Sequence, residues 1–282
     1  MVQILRTKEE ARQFCASLEG DVCLVMTMGA LHQGHMSLVR AAKNKGEHVI
    51  VSIFVNPLQF GENEDFDAYP RQLDDDIALL ETENIDAVFA PSEKEMYPRL
   101  PHTRIQPGSM ASTFEGKTRP GHFAGVLQIV AKVFHIIQPH YAFFGQKDSQ
   151  QLALIRAMVD DLDFPVKICG VPLQRDENGL ALSSRNEYLS DEEKEHAYTL
   201  NRALYVGKDV ADNGGGIHEV GIAARACFEE NPAVRLDYCE IVSPDTYEPI
   251  EQDTYEGKAL IICAAWVGKT RLIDNMEVHI HG

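Results

Sequence analysis

Short apolar runs alternate with longer amphipathic stretches through the first part of this chain. Residues 21–28, 48–56, 86–91, 141–145 and 166–171 are rich in Val, Ile and Phe and bounded by Gly, Pro or polar residues. They lack the polar alternation of a half-solvated strand, so they are expected to be strands covered on both faces. Between them, 34–45, 71–83, 122–138 and 147–163 carry helical spacing. Strand–helix–strand alternation predicts an α/β domain built on a doubly wound parallel sheet, with ligands received at the carboxyl ends of its strands.

The pattern changes near Arg185. Ser190-Asp-Glu-Glu193 has the form of a capping box opening a long helix. Asn213-Gly-Gly-Gly216 interrupts the chain, a helix is expected at 217–230, and strand-like runs follow at 235–242 and 259–267. This predicts a second, smaller α+β domain, with the division placed at 1–176 and 177–282. No internal repeat or low-complexity tract is visible.

Composition narrows the class. Of 282 residues, 44% are hydrophobic and 24% charged, so a folded core is within reach. The 26 basic and 43 acidic residues leave a net charge of −17. Nucleic acid and anionic membranes need clustered cations, so neither is an expected partner. A site for an anionic substrate must then be assembled from a few local cations and helix N-termini. The chain shows no basic stretch leading into an apolar one and no apolar run long enough to span a bilayer. None of the six cysteines forms a Cys-x-x-Cys pair, so reduced thiols in the cytoplasm are expected.

Five segments can carry chemistry. Met26-Thr-Met-Gly-Ala-Leu-His-Gln-Gly-His35 follows the first predicted strand and enters a helix. Its Gly29 permits a tight turn, and Gly34 and His35 sit where unpaired N–H groups and the helix dipole attract an anion. His32 and His35, three apart, share one side and can serve phosphoryl transfer. A loop with two exposed histidines, or half of a zinc site lacking its third ligand, would read the same. Val55-Asn-Pro-Leu-Gln-Phe60 places Asn56 and Gln59 at the sheet's carboxyl edge, as small-substrate readers or as plain turn chemistry. Arg119-Pro-Gly-His-Phe-Ala-Gly125 leads into a helix. Phe143-Phe-Gly-Gln-Lys-Asp148 offers Lys147 as a phosphate cation and Asp148 for ribose, metal or a helix N-terminus, with Gln151 one turn on. Leu182-Ser-Ser-Arg-Asn186 combines two hydroxyls with a guanidinium, a phosphate clamp or a polar hinge. Asp74-Asp-Asp76 reads as a solvated helix face with one carboxylate available to a metal, and Trp266 as core. His32, His35, Lys147 and Arg185 are expected to face one crevice, and the absence of a Walker motif or a Ser-His-Asp order leaves a nucleotide-triphosphate site beside an amide-lined pocket.

Thr27–His35, Phe54–Phe60, Arg119–Phe123, Gly145–Gln151 and Gly179–Asn186 match, in order and spacing, the motifs of the pantothenate synthetase (pantoate–β-alanine ligase) family. The chain resembles that family over essentially its whole length, whereas His-x-Gly-His alone marks only the wider superfamily of adenylate-forming and nucleotidyl-transfer enzymes. The resemblance implies a Rossmann-like first domain, a smaller lid domain and a homodimer. It implies condensation of pantoate with β-alanine through pantoyl adenylate, with ATP as a substrate, Mg²⁺ required, and AMP and pyrophosphate released. Carried over residue by residue, it assigns His35 as the principal catalytic histidine, with His32, Lys147 and Arg185 beside it. ATP would be bound by Met28, Gly29, Ala30, Leu31, His32, Gln33, Gly34 and His35, by Gly145, Gln146, Lys147 and Asp148, and by Gln174, Leu182, Ser183, Ser184 and Arg185. Gln59 and Gln151 would hold pantoate, with Gln59 also near β-alanine. No metal ligand is assigned. The chain departs from the family pattern at Ala124, His140, Gln146, Ser149 and Gln174, none of them a proposed reacting group. Rival readings are a nucleotidyltransferase that releases a stable nucleotide product instead of an amide, a metal-dependent hydrolase using His32, His35 and a carboxylate, and an ATP sensor without turnover.

Overall fold

The computed structural model describes residues 2–61, 64, 66–252 and 254–281. The chain divides into two compact units, Met1–Gln146 with Gln150–Pro172, and Lys147–Ser149 with Leu173–Gly282. Among the described residues no helix is long and apolar enough to cross a membrane, and all six cysteines are free.

The first unit runs β1 (Gln3–Leu5), α1 (Lys8–Ala16), β2 (Val22–Thr27), α2 (Gln33–Lys43), β3 (His48–Ile53), α3 (Leu73–Glu81), β4 (Ala87–Phe89), α4 (Glu93–Met96), α5 (Phe114–Thr118), α6 (His122–Ile137), β5 (Tyr141–Gly145), α7 (Ser149–Asp161) and β6 (Lys167–Val171). Its sheet has six strands in the order β1-β4-β3-β2-β5-β6, and every pairing is parallel. The apolar runs lack alternation because both faces are covered. Val22, Leu24, Ile50, Ala87, Phe89, Ala142 and Phe144 belong to one buried cluster with α6 and α7. Their neighbours Cys23, Val25, Val49, Val51, Val88 and Phe143 join α2 and α3 in another. Successive side chains leave a strand on opposite faces, so a run that must satisfy two cores has no polar position to spare. Each such Val, Leu or Ile contributes about 1.5–3 kcal/mol on full burial.

Strand order reverses direction at β2. β3 and β4 lie to one side of it and β5 and β6 to the other. That switch point leaves a crevice at the carboxyl ends of β2 and β5, the place where open α/β sheets receive ligands. The loop 28–32 leaves β2 there, and Gly145 closes β5 there. α1 and β1 escape the periodicity reading, although Thr7 and Glu10 form a capping box that a search for Thr-x-x-Glu would have found.

In the second unit α8 (Asp191–Asp212) and α9 (Ile217–Glu229) pack on an antiparallel sheet of β7 (Val234–Val242), β8 (Gly257–Val267) and β9 (Thr270–Ile280), in that order. The expected box at Ser190 is present. Its Oγ accepts from the Glu193 N–H at 3.2 Å, and the Glu193 carboxylate accepts from the Ser190 N–H at 2.8 Å. β9 is a third strand beyond the two the pattern showed. Its apolar alternation is broken by buried Asp274 and Asn275. Trp266, expected in the core, is only half-buried on β8 with the Arg235 guanidinium 5.1 Å from its ring centroid, while its strand neighbours Ala265 and Val267 fill the core instead.

Candidate functional site

The loop after β2 is built by backbone chemistry before any substrate is considered. Thr27 Oγ accepts from the Gly29 N–H at 3.2 Å and donates to the Ser52 carbonyl on β3 at 3.0 Å. Gly29 has φ +88°, and a Cβ there would lie 2.9 Å from an Asp76 carboxylate oxygen. Ala30 follows at φ +51°, a region that L residues adopt at a cost of about 1 kcal/mol or more. Asp76 holds this geometry. Its carboxylate accepts from the Ala30 N–H at 3.1 Å and the Leu31 N–H at 2.8 Å, and the residue is 2% exposed. This corrects the reading of 74–76 as one solvated face. Asp74 and Asp75 are exposed, whereas Asp76 turns inward because two loop amides would otherwise be buried without an acceptor.

The loop delivers His32 and His35 to the start of α2. His32 is the N-cap, and its Nδ1 accepts from the Gly34 N–H at 3.1 Å. His35 Nδ1 in turn accepts from the His32 N–H at 3.3 Å. The ring centroids are 4.1 Å apart. An imidazole that accepts at Nδ1 carries its proton on Nε2 when neutral. Both rings are therefore set, by backbone amides, to present an Nε2–H donor at the positive end of a helix dipole.

Asn56 and Gln59 follow β3. Asn56 is 1% exposed and its amide is consumed internally. It donates to Gln59 Oε1 at 3.2 Å and to the Gly125 carbonyl at 3.0 Å, and it accepts from the Leu58 N–H and the Tyr97 hydroxyl. It positions Gln59 rather than reading a ligand. Gln59 Nε2 meets Met28 Sδ at 2.8 Å, so the first and second segments do come together. A thioether is a weak acceptor, which leaves that amide ready for a better one. His122 Nδ1 is 2.8 Å from the Gln59 carbonyl, and Arg119, an ion-pair partner of Glu64, lies 3.1 Å from the other His122 nitrogen. Gly125 permits this packing, since a Cβ there would lie 2.1 Å from the Leu58 carbonyl oxygen. A cavity of about 550 Å³ in the same unit is lined by Met28, Gly29, Phe54, Arg71 and Asp76 among others.

At the end of β5, a Cβ on Gly145 would be 4.0 Å from Leu38 of α2, so this terminus packs beside the histidine helix. Gln151 stands in the first turns of α7, half-buried. Its neighbour Gln150, absent from the sequence reading, is buried and structural. It donates to the Met110 and Thr113 carbonyls and accepts from the Glu115 N–H. Among the departures, His140 accepts from the Val22 N–H at 3.0 Å and so caps the entry to β2.

The second unit gathers the rest. Residues 174–182 form a tight hairpin, with Arg175 bridged to Ala181 and the Leu182 N–H donating to the Gln174 carbonyl at 2.9 Å. Two proposed ATP contacts eight residues apart are thereby made neighbours. Ser183 caps the short turn Ser184–Tyr188, its Oγ accepting from the Arg185 N–H at 3.3 Å. Lys147 has a side chain 19% exposed, with Nζ 3.4 Å from the Asp148 carboxylate.

A family model for pantoate-beta-alanine ligase matches residues 3–277. Among curated relatives, the pantothenate synthetase of Acidothermus cellulolyticus is 50% identical over 98% of this chain and 91% of its own. That of Salinispora arenicola is 48% identical over 99% of both chains. Among solved structures, pantothenate synthetase from Thermus thermophilus superposes with TM-score 0.92 at 45% identity, covering 98% of this chain and 99% of the other. The pantoate-beta-alanine ligase of Francisella tularensis, complexed with beta-gamma ATP and beta-alanine, superposes with TM-score 0.79 at 35% identity, covering 98% and 97%.

Proposed function

The chain belongs to the pantoate–β-alanine ligase family, and from that membership we propose that it condenses pantoate with β-alanine using ATP, forming pantothenate for coenzyme A synthesis. The observation that carries the catalytic reading is the pair His32 and His35, each ring accepting a backbone N–H at Nδ1 at the start of α2.

The reaction proceeds in two steps. A pantoate carboxylate oxygen attacks the α-phosphorus, the bond to the β-phosphate oxygen breaks, and pyrophosphate leaves. The β-alanine amine then attacks the acyl carbon of pantoyl adenylate, loses a proton, and expels AMP. The Nε2–H groups of His32 and His35 donate to the phosphate oxygens on which charge builds, and His35 is the principal donor. Residues 28–31 place backbone against the nucleotide, with Gln33 and Gly34 at the helix start. In the same reading Gly145, Gln146 and Asp148 seat ATP, and Gln174, Leu182, Ser183 and Ser184 hold it. Lys147 and Arg185 neutralise the departing pyrophosphate. Gln59 exchanges its thioether contact for pantoate, which Gln151 also holds.

Magnesium binds chiefly through water and phosphate oxygens, and we assign it to the substrate as MgATP. Among the described residues no three His, Cys, Asp or Glu side chains gather to hold a metal, and Asp76 commits its carboxylate to the loop amides. Six free thiols support a cytoplasmic location. The homodimer rests on the family resemblance.

The test is pyrophosphate release from MgATP with pantoate and β-alanine added separately and together. Turnover that needs both, with AMP and an amide as products, is expected. Folded, ATP-binding protein that releases no pantoate-dependent pyrophosphate would overturn the reading and favour the sensor or the nucleotidyltransferase.

A further inference from the structure

β9 carries two polar residues in the interior of the second unit, Asp274 at 3% exposure and Asn275 at 8%. A buried polar pair is costly unless its hydrogen bonds are made. Both Asp274 oxygens meet the Arg175 guanidinium, at 2.7 and 2.9 Å. Arg175 also donates to the Gly179 carbonyl at 2.9 Å, which ties the far side of the 174–182 hairpin. Asp274 accepts from the Asn275 N–H at 2.7 Å, and Asn275 Nδ2 donates to the Lys147 main-chain carbonyl at 2.9 Å.

These bonds form one continuous chain, Gly179–Arg175–Asp274–Asn275–Lys147. At one end is the hairpin that joins Gln174 to Leu182, and at the other is the main chain that carries the Lys147 ammonium. The interior link is an ion pair, and such pairs are poor sources of stability, since apolar replacements of equal volume often fold as well. What a bidentate guanidinium–carboxylate pair does supply is fixed geometry. Asn275 is held at its backbone by that pair and grips Lys147 with its side chain.

We propose that Asn275, fixed by the Arg175–Asp274 pair, is a positioning residue that sets the Lys147 main chain and so aims its ammonium at the ATP phosphates. The proposal rests on the phosphate role of Lys147. Asn275 acts on the reaction through the Lys147 carbonyl that its side chain holds.

The experiment compares the parent with Asn275→Leu, Lys147→Met and the double variant, reading pantoate-dependent pyrophosphate release, the KM values for ATP and pantoate, and the thermal midpoint. Leu keeps the γ-branch of Asn and removes its donor. Asn275→Leu is expected to lower the adenylation rate about 10–100-fold, the scale of an ångström-sized misplacement, with pantoate KM unchanged. In the Lys147→Met background the same substitution should cost less than about threefold, because the group it aims is gone. Asn275→Leu at parental rate, or an equal loss in both backgrounds, would overturn the proposal. Lys147→Met at parental rate would instead sink the phosphate role of Lys147, and this proposal with it. Should Asn275→Leu fail to fold, Asn275→Ala, which asks for less space, is read by the same criteria.

Discussion

His35 shows how much a single residue depends on bonds that are not its own. Its Nδ1 is occupied by the His32 amide, which places the ring's proton on Nε2 when it is neutral. His35→Ala should therefore lower pantoate-dependent pyrophosphate release about 10²–10³-fold, the usual loss for one donor to a developing anion, with the far-ultraviolet circular dichroism of the parent. Near-parental turnover would remove His35 from the chemistry. The spacing of the two histidines and their place after a strand were legible in the sequence. Asp76 was not, because an Asp-Asp-Asp run at a helix start looks solvated whichever member turns inward. Its role depends on two amides 45 and 46 residues away. Asn56 was hidden in the same way. A carboxamide at a sheet edge suits a ligand, and only the packed structure shows its partners to be Gln59, Gly125, Leu58 and Tyr97.

Elements set these residues in register by close approach. α6 lies against the turn 57–59 because position 125 has no side chain. Gly125→Ala would drive a methyl into the Leu58 carbonyl and Gln59 amide. It should cost about 1–3 kcal/mol in urea unfolding and raise the KM for pantoate by displacing Gln59. Unchanged stability would show that α6 can slide away freely. The strands of the parallel sheet were readable because burial on both faces leaves a run of Val, Ile and Phe with no ambiguity of period. β9 was not, because Asp274 and Asn275 break its pattern where the second unit needs polar links. Burial raises the Asp274 carboxyl above its ordinary value while Arg175 pulls the other way, an electrostatic balance that residue order alone does not disclose.

Across the molecule as a whole, stability should respond to pH through His48, where β3 begins. Its Nδ1 is 2.9 Å from the Asp86 carboxylate, and the Glu19 carbonyl lies 2.9 Å from Nε2. The hydrogen bond to Asp86 raises the His48 pKa, burial opposes the rise, and Glu47 adds to it. Asp86 also accepts from the Val49 N–H, fixing the register of β3 and β4. A raised folded value means that the charged ring stabilises the fold. The contribution is complete below the unfolded value near 6.5 and fades as pH rises through the folded one. His48→Gln should therefore lose up to about 1 kcal/mol relative to the parent near pH 6 and little in mildly alkaline buffer. A difference that grows with pH would reverse the assignment.

Residue order was enough for the fold class, the apolar runs of the parallel strands, the box that opens α8, and the family motifs. Each is written in residues close together in the chain, where period, capping and turn chemistry act locally. It took the packed molecule to establish that Asp76 builds the loop after β2, that Asn56 serves Gln59, that β9 exists, and that Lys147 is gripped by Asn275. Those contacts join residues separated by 45 to 128 positions or polar groups whose partners lie on another element. A buried polar side chain takes its meaning from the unpaired donor or acceptor it meets, and only folding brings that partner to it.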